Sequence, residues 1–152
     1  MERKGRIHMN RADISVEDFL PHRGRMKLVD EIVEVDEEKA VTRSTVTDQW
    51  PFFNGKTVDS LVLIELVAQT AGISNSWEGI KKHGDQFERK GWLVGIRQSS
   101  FYVDTISLGT PIITRSETQF RFENYRDILG TVEIDSEIAA EVRLQLFQSD
   151  AD

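Results

Sequence analysis

The chain has 152 residues, enough for one domain with its own core. At 39% hydrophobic and 30% charged residues it falls in the ordinary globular class rather than the disordered or membrane-embedded ones. It has no cysteine, which excludes disulfides, thiol chemistry and cysteine-ligated zinc. Its three histidines, His8, His22 and His83, are too scattered for a metal-ligand spacing. A net charge of −7 argues against a general nucleic-acid binder, and no apolar run reaches membrane-spanning length, so a cytoplasmic protein without metal or cofactor is expected.

Residues 1–14 are polar and basic, with no apolar signal-peptide core behind the charges. They read as a flexible tail before a single domain over 15–148, with 149–152 as a second tail. Ser15 and Asp18 make an S-x-x-D capping pattern before Phe19 and Leu20, a short helical turn that Pro21 stops. Lys27–Val35 and Lys39–Thr47 read as an antiparallel hairpin around Asp36-Glu37-Glu38. Trp50-Pro51-Phe52-Phe53-Asn54-Gly55 is an aromatic loop whose rings should pack, ending in an Asn-Gly turn.

The most apolar stretch follows, Ser60 to Ile73, SLVLIELVAQTAGI. Its length and its Leu, Ala, Glu and Gln content predict a helix, and its nearly all-round apolarity predicts one wrapped by protein. Asp59 or Ser60 is the expected cap. The helix is expected to run on to about Lys82 as a half-exposed segment and to stop at His83-Gly84-Asp85, with Gly84 as C-cap and His83 on the surface. Glu65 and Gln69, four apart, share one face, which Gly72 continues. A carboxylate buried there is costly unless paired or neutral. Two readings of Glu65 stay open on this ground: a satisfied structural carboxylate, or a group kept for chemistry.

The remainder reads as strands over Gly91–Val103, Ile112–Phe122, Ile128–Ile134 and Ile138–Phe147, with turns at Ser107–Pro111, Asn124–Asp127 and Asp135-Ser136-Glu137. One apolar helix among so many strands predicts an α+β arrangement, a curved antiparallel sheet wrapped around one long buried helix.

Five segments, in order, carry a family resemblance. They are Leu20-Pro21-His22-Arg23 with Met26-Lys27-Leu28-Val29-Asp30, then Pro51-Phe52-Phe53-Asn54-Gly55, then Leu63 to Gly72, then Phe101 to Gly109, and the closing pair Val132–Phe147. Together they resemble the β-hydroxyacyl-ACP dehydratases, over residues 18 to 148. The resemblance implies a hotdog fold and an acyl thioester substrate on acyl carrier protein or CoA. It departs at one place. The family carries G-H-F-P-x-x-P-x-x-P-G before the helix, whereas this chain has the shorter Gly55-Lys56-Thr57-Val58-Asp59-Ser60, with Lys56 where the catalytic histidine belongs. The shortened loop is similar to that of dehydratase-like proteins from aryl-polyene and related polyketide-type clusters.

The resemblance implies that Glu65 is an acid/base group with its pKa raised by the apolar helix, and that Gln69 orients it or the substrate. A backbone N–H near Val58–Ser60 would polarise the thioester carbonyl, and Asp59, Ser60, Gly72, His22 and Arg23 are the substrate-binding candidates. In the family the histidine corresponding to His22 holds its loop rather than catalysing. Arg23 beside it would face a phosphopantetheine phosphate or the acidic surface of the chain. The missing histidine would come from another subunit, giving a heterodimer. The alternatives are a hotdog thioesterase in which Glu65 and Gln69 activate water, and a non-catalytic or half-site subunit. All imply a homodimer, a heterodimer or a higher oligomer, because hotdog subunits pair their sheets edge to edge. Arg97, Arg115 and Arg121 are candidates for a basic patch toward an acidic carrier, or else ordinary solvated strand residues, and Lys56 is expected to be exposed and without a role.

Overall fold

The computed structural model describes residues 15–84 and 92–148; the expected tails at 1–14 and 149–152 and the start of the strand expected from Gly91 lie outside the described residues. In chain order the elements are α1 (Val16–Phe19), a 3-10 turn (Gly24–Met26), β1 (Glu31–Val35), β2 (Lys39–Thr45), β3 (Thr57–Asp59), α2 (Val62–His83), β4 (Trp92–Phe101), β5 (Thr105–Ser107), β6 (Pro111–Phe122), β7 (Tyr125–Ile134) and β8 (Glu137–Gln148). Six strands form one antiparallel sheet in the order β1-β2-β6-β7-β8-β4, and β3 pairs with β5 apart from it. This is the expected α+β hotdog arrangement, with α2 packed against the concave face.

Alternation along the strands sets that face. On β7, Arg126, Ile128, Gly130 and Val132 are buried, while Tyr125, Asp127, Leu129 and Thr131 are more open. Val142, Leu144 and Leu146 of β8 and Ile112 of β6 turn the same way, onto Val62, Leu63, Leu66, Val67 and Ile73 of α2. The helix comes closest to the sheet at Gly130, where an added Cβ would lie 2.1 Å from Val67 Cγ1. Only glycine leaves room for that approach.

Several local expectations shift. The first hairpin is shorter than read, because residues 27–30 belong to an irregular strap, residues 20–30, regular only at the 3-10 turn, and β2 ends at Thr45. Asn124 lies in the β6–β7 turn, but β7 already starts at Tyr125, with Glu123 at φ 54° supplying the tight reversal. Asp135 and Ser136, at φ 51° and 65°, make the β7–β8 turn in the hand that suits twisted hairpins, without the usual glycine. Ser15 makes no cap; its hydroxyl donates to Glu17 instead. In the aromatic loop Trp50 packs in the core and Phe53 against it, whereas Phe52, at φ 65°, is exposed.

The largest correction concerns the second half of α2. Ser74, Asn75, Ser76, Trp77 and Glu78 were expected half-exposed and are buried. Trp77 packs on Phe19 at a ring separation of 6.0 Å, and Glu78 is covered because two arginines from the sheet pair with it, whereas Ser74 Oγ and Trp77 Nε1 are buried without a hydrogen-bond partner. The helix ends at Gly84, φ 57°, whose N–H donates to the Ile80 carbonyl. At the other end the N-cap position is Leu61, with no side-chain cap, so neither Asp59 nor Ser60 caps the helix as expected; Asp59 Oδ1 accepts the Leu61 N–H at 2.9 Å in the turn before it.

Candidate active site

The site is built where α2, the strap and the sheet edge meet. Ile64, Glu65, Ala68 and Gln69 face outward from α2 toward β4, the last strand of the sheet, whose Val94 and Ile96 lie on the concave face. With His22 these residues line a cavity of about 240 Å³. Ile96 is 56% exposed, because among the described residues no strand lies beyond β4 to cover it. For the same reason the Glu65 side chain is 38% exposed, against the expectation of a buried carboxylate.

Gln69 ties the strap to the helix. Its Oε1 accepts the Leu28 N–H at 3.0 Å, and its Nε2 donates to the Met26 carbonyl at 2.6 Å and to Glu65 Oε1 at 3.1 Å. A backbone donor on one side and a backbone acceptor on the other fix which way the amide points. His22 Nε2 lies 3.4 Å from the same Glu65 Oε1. The strap that carries His22 is held along its length. Arg23 donates from Nη1 to the Leu20 and His22 carbonyls at 2.6 and 2.8 Å and from Nη2 to the Glu17 carbonyl at 3.1 Å, and Lys27 pairs with the Glu17 carboxylate. Those hydrogen bonds to Lys27 and Ser15 hold the exposed Glu17 carboxyl down to about 2.

The sequence candidates divide. Glu65, Gln69 and His22 come together on one cavity. Arg23 stands next to them with its guanidinium occupied by main-chain carbonyls rather than open to a phosphate. Asp59 and Ser60 lie at the start of α2 and do not line the cavity. Their N–H groups are already bonded, Asp59 to the Phe52 carbonyl and Ser60 to the Asp104 carbonyl, so neither is free to polarise a thioester. Gly72 is buried further along α2, away from the cavity. Lys56 is exposed on its loop. The meeting of His22 with Glu65 has no signal in local spacing, because it depends on the strap crossing α2.

A second ionisable cluster sits toward the C-terminal end of α2. Burial pushes the Glu78 carboxyl up, but hydrogen bonds from Arg121 and Lys82 and the charge of Arg126 outweigh it and hold the group down to about 2. Arg126, 5% exposed, also donates to the Glu37 carbonyl at 3.0 Å, so the cluster joins α2, β6, β7 and the β1–β2 turn. The proposed basic patch does not form. Arg121 turns inward to Glu78, while Arg97 pairs with Asp127 at 3.1 Å and Arg115 with Glu133 at 3.5 Å. Among the described residues no cluster of side chains is able to hold a metal ion, and no helix is long and apolar enough to cross a membrane.

A family model described as ApeP-like, ApeP dehydratase, matches residues 14–152. The 3-hydroxyacyl-[acyl-carrier-protein] dehydratase FabZ of Streptococcus sanguinis is 41% identical over 64 residues, 39% of this chain and 46% of that protein. The chain thus spans about half the length of the curated relatives it matches. Among solved structures, the dehydratase heterocomplex ApeI:P from Xenorhabdus doucetiae superposes with a TM-score of 0.76 at 19% identity, over 90% of this chain and 92% of that one. A hypothetical thioesterase with coenzyme A from Streptococcus pneumoniae superposes at 0.58 and 13% identity, over 78% of this chain and 84% of that one. At these identities the two structures share the fold.

Proposed function

We propose that this chain, which belongs to the ApeP-like family, acts on 3-hydroxyacyl thioesters as a dehydratase, with Glu65 as a proton-carrying group. One observation carries the reading. A carboxylate held by Gln69 stands beside His22 on a cavity whose remaining walls, Ile64, Ala68, Val94 and Ile96, are aliphatic and suited to an acyl chain. Loss of water from a 3-hydroxyacyl thioester needs a proton taken from C2 and a proton given to the departing hydroxyl. Glu65 serves the hydroxyl in this reading, and Gln69 is its positioning residue. The FabZ relatives, named for 3-hydroxyacyl groups on acyl carrier protein, support that substrate class, with CoA as the alternative carrier. A second hotdog subunit, either another copy or a histidine-bearing relative, covers the open β4 edge in this reading, and the similarity to ApeI:P, a dehydratase heterocomplex, supports such an assembly. A cytoplasmic location goes with this substrate class in the same reading.

Hydration of crotonyl-CoA, the reverse reaction, tests this by loss of the enoyl absorbance, with the chain alone and after mixing with a histidine-bearing hotdog subunit. Glu65→Gln is expected to lower the rate by about 100-fold or more with little change in KM. Equal rates for the variant and the wild type would refute the role of Glu65. Hydrolysis of the thioester without hydration would move the reading to a thioesterase.

A further inference from the structure

We propose that His22 is the second proton-transfer group of this site, so that one chain carries both the base and the acid and needs no histidine from a partner. The inference rests on the dehydratase reading above. Its ground is a juxtaposition: His22 Nε2 lies 3.4 Å from Glu65 Oε1, and both groups line the same cavity.

Three further observations separate His22 from a merely structural histidine. Its Nδ1 is buried and has no hydrogen-bond partner, whereas a histidine kept only to brace a loop uses its ring nitrogens on that loop. The loop is braced without it. Arg23 holds the Leu20 and His22 carbonyls of the strap and the Glu17 carbonyl of α1, and Gln69 holds Met26 and Leu28. The position at which the family motif has its histidine is Lys56, exposed and bonded through its backbone N–H to Asn54 Oδ1. Removal of His22 from the strap would therefore leave the strap's own hydrogen bonds in place.

The chemistry balances within the pair. Neutral His22 Nε2 takes the C2 proton of the 3-hydroxyacyl thioester, and the electrons of that C–H bond become the second bond between C2 and C3. The C3–O bond breaks, and the hydroxyl leaves as water with the proton of the Glu65 carboxylic acid. This leaves an imidazolium beside a carboxylate, and the proton passes back from His22 to Glu65 across their contact. Glu65 is the titratable group that faces His22 from α2. β4 contributes only Val94 and Ile96 to the cavity, and on the strap itself Arg23 and the Lys27–Glu17 pair are engaged elsewhere.

The test uses the full chain alone and two reactions. One is hydration of crotonyl-CoA. The other is exchange of the C2 protons of butyryl-CoA for deuterium in D2O, followed by NMR, which reads the base without the acid. His22→Gln keeps a hydrogen-bond donor beside Glu65 but cannot take the C2 proton. It is expected to lose both reactions by about 100-fold or more, with KM nearly unchanged. Glu65→Gln is expected to lose hydration while keeping most of the exchange. Imidazole added to His22→Ala is expected to restore part of the exchange, which a misfolded variant would not show. If His22→Gln hydrates at the wild-type rate while Glu65→Gln is dead, His22 is a brace only; the inference falls and the dehydratase reading stands. If the wild-type chain alone neither hydrates nor exchanges, but does so after a histidine-bearing subunit is added, the inference again falls and the base belongs to the partner. If neither variant affects the hydration rate, both fall.

Discussion

Gln69 makes three hydrogen bonds that no other side chain can replace, two of them to main-chain groups of the strap. Gln69→Leu conserves the approximate size of the side chain and leaves the Leu28 N–H and Met26 carbonyl without partners. A buried donor left unsatisfied costs about 1–3 kcal/mol, so this variant is expected to lose about 2–3 kcal/mol in urea unfolding. It is also expected to lose hydration more than it loses stability, because Glu65 and His22 then move independently. A fully active Gln69→Leu would mean that the strap is held by its apolar anchors, Leu20, Leu28 and Val29, together with Arg23, without need of Gln69. The value of Gln69 as a strap anchor was not legible at four-residue spacing to Glu65. That spacing marks the shared helix face but is silent on what crosses it.

The contact between α2 and β7 turns on a missing side chain. Gly130→Ala would put a Cβ 2.1 Å from Val67 Cγ1, in a place where neither the helix nor the strand is free to retreat. Overpacking of this kind costs about 1–3 kcal/mol. Pairing it with Val67→Ala should recover much of the loss, and a thermal-unfolding double-mutant cycle measures that coupling directly. Additive losses would show that the strain is absorbed elsewhere. At this scale the α2 segment was legible because its apolar residues are contiguous. Its burial beyond Ile73 was not, since Ser74, Asn75 and Glu78 look like a solvated end until the rest of the fold covers them and arginines from distant strands pair with Glu78.

Across the whole molecule, the Glu78 cluster joins the helix to strands far away in the chain, and it gives stability a defined pH dependence. The folded-state carboxyl is held at about 2 against an ordinary 4.5. The unfolded chain therefore takes up this proton first as pH falls. The contribution of the carboxylate is full above pH 4.5 and is lost progressively as pH falls toward about 2. Glu78→Gln leaves Arg126 buried without its counter-charge. A loss of about 3–5 kcal/mol at pH 7 is expected. The variant should also show a shallower fall in denaturant midpoint between pH 5 and pH 2 than the wild type. An equally steep fall in both would assign the acid sensitivity to other carboxylates.

The chain's own order of residues determined the class of fold, the place of the central helix and the identity of Glu65 and Gln69 as a pair. Each of these follows from short-range facts: apolar contiguity over Ser60–Ile73, alternation along the strands, and a four-residue spacing that falls on one helix face. The tertiary structure alone decided which groups meet. It set Glu65 half-buried at the β4 edge rather than in the core, brought His22 to it on a strap pinned by Arg23 and Gln69, and turned Arg121 and Arg126 inward onto Glu78. Those contacts depend on the order of strands in the sheet and on the path of an irregular segment. Neither has a period or a spacing that can be read along the chain.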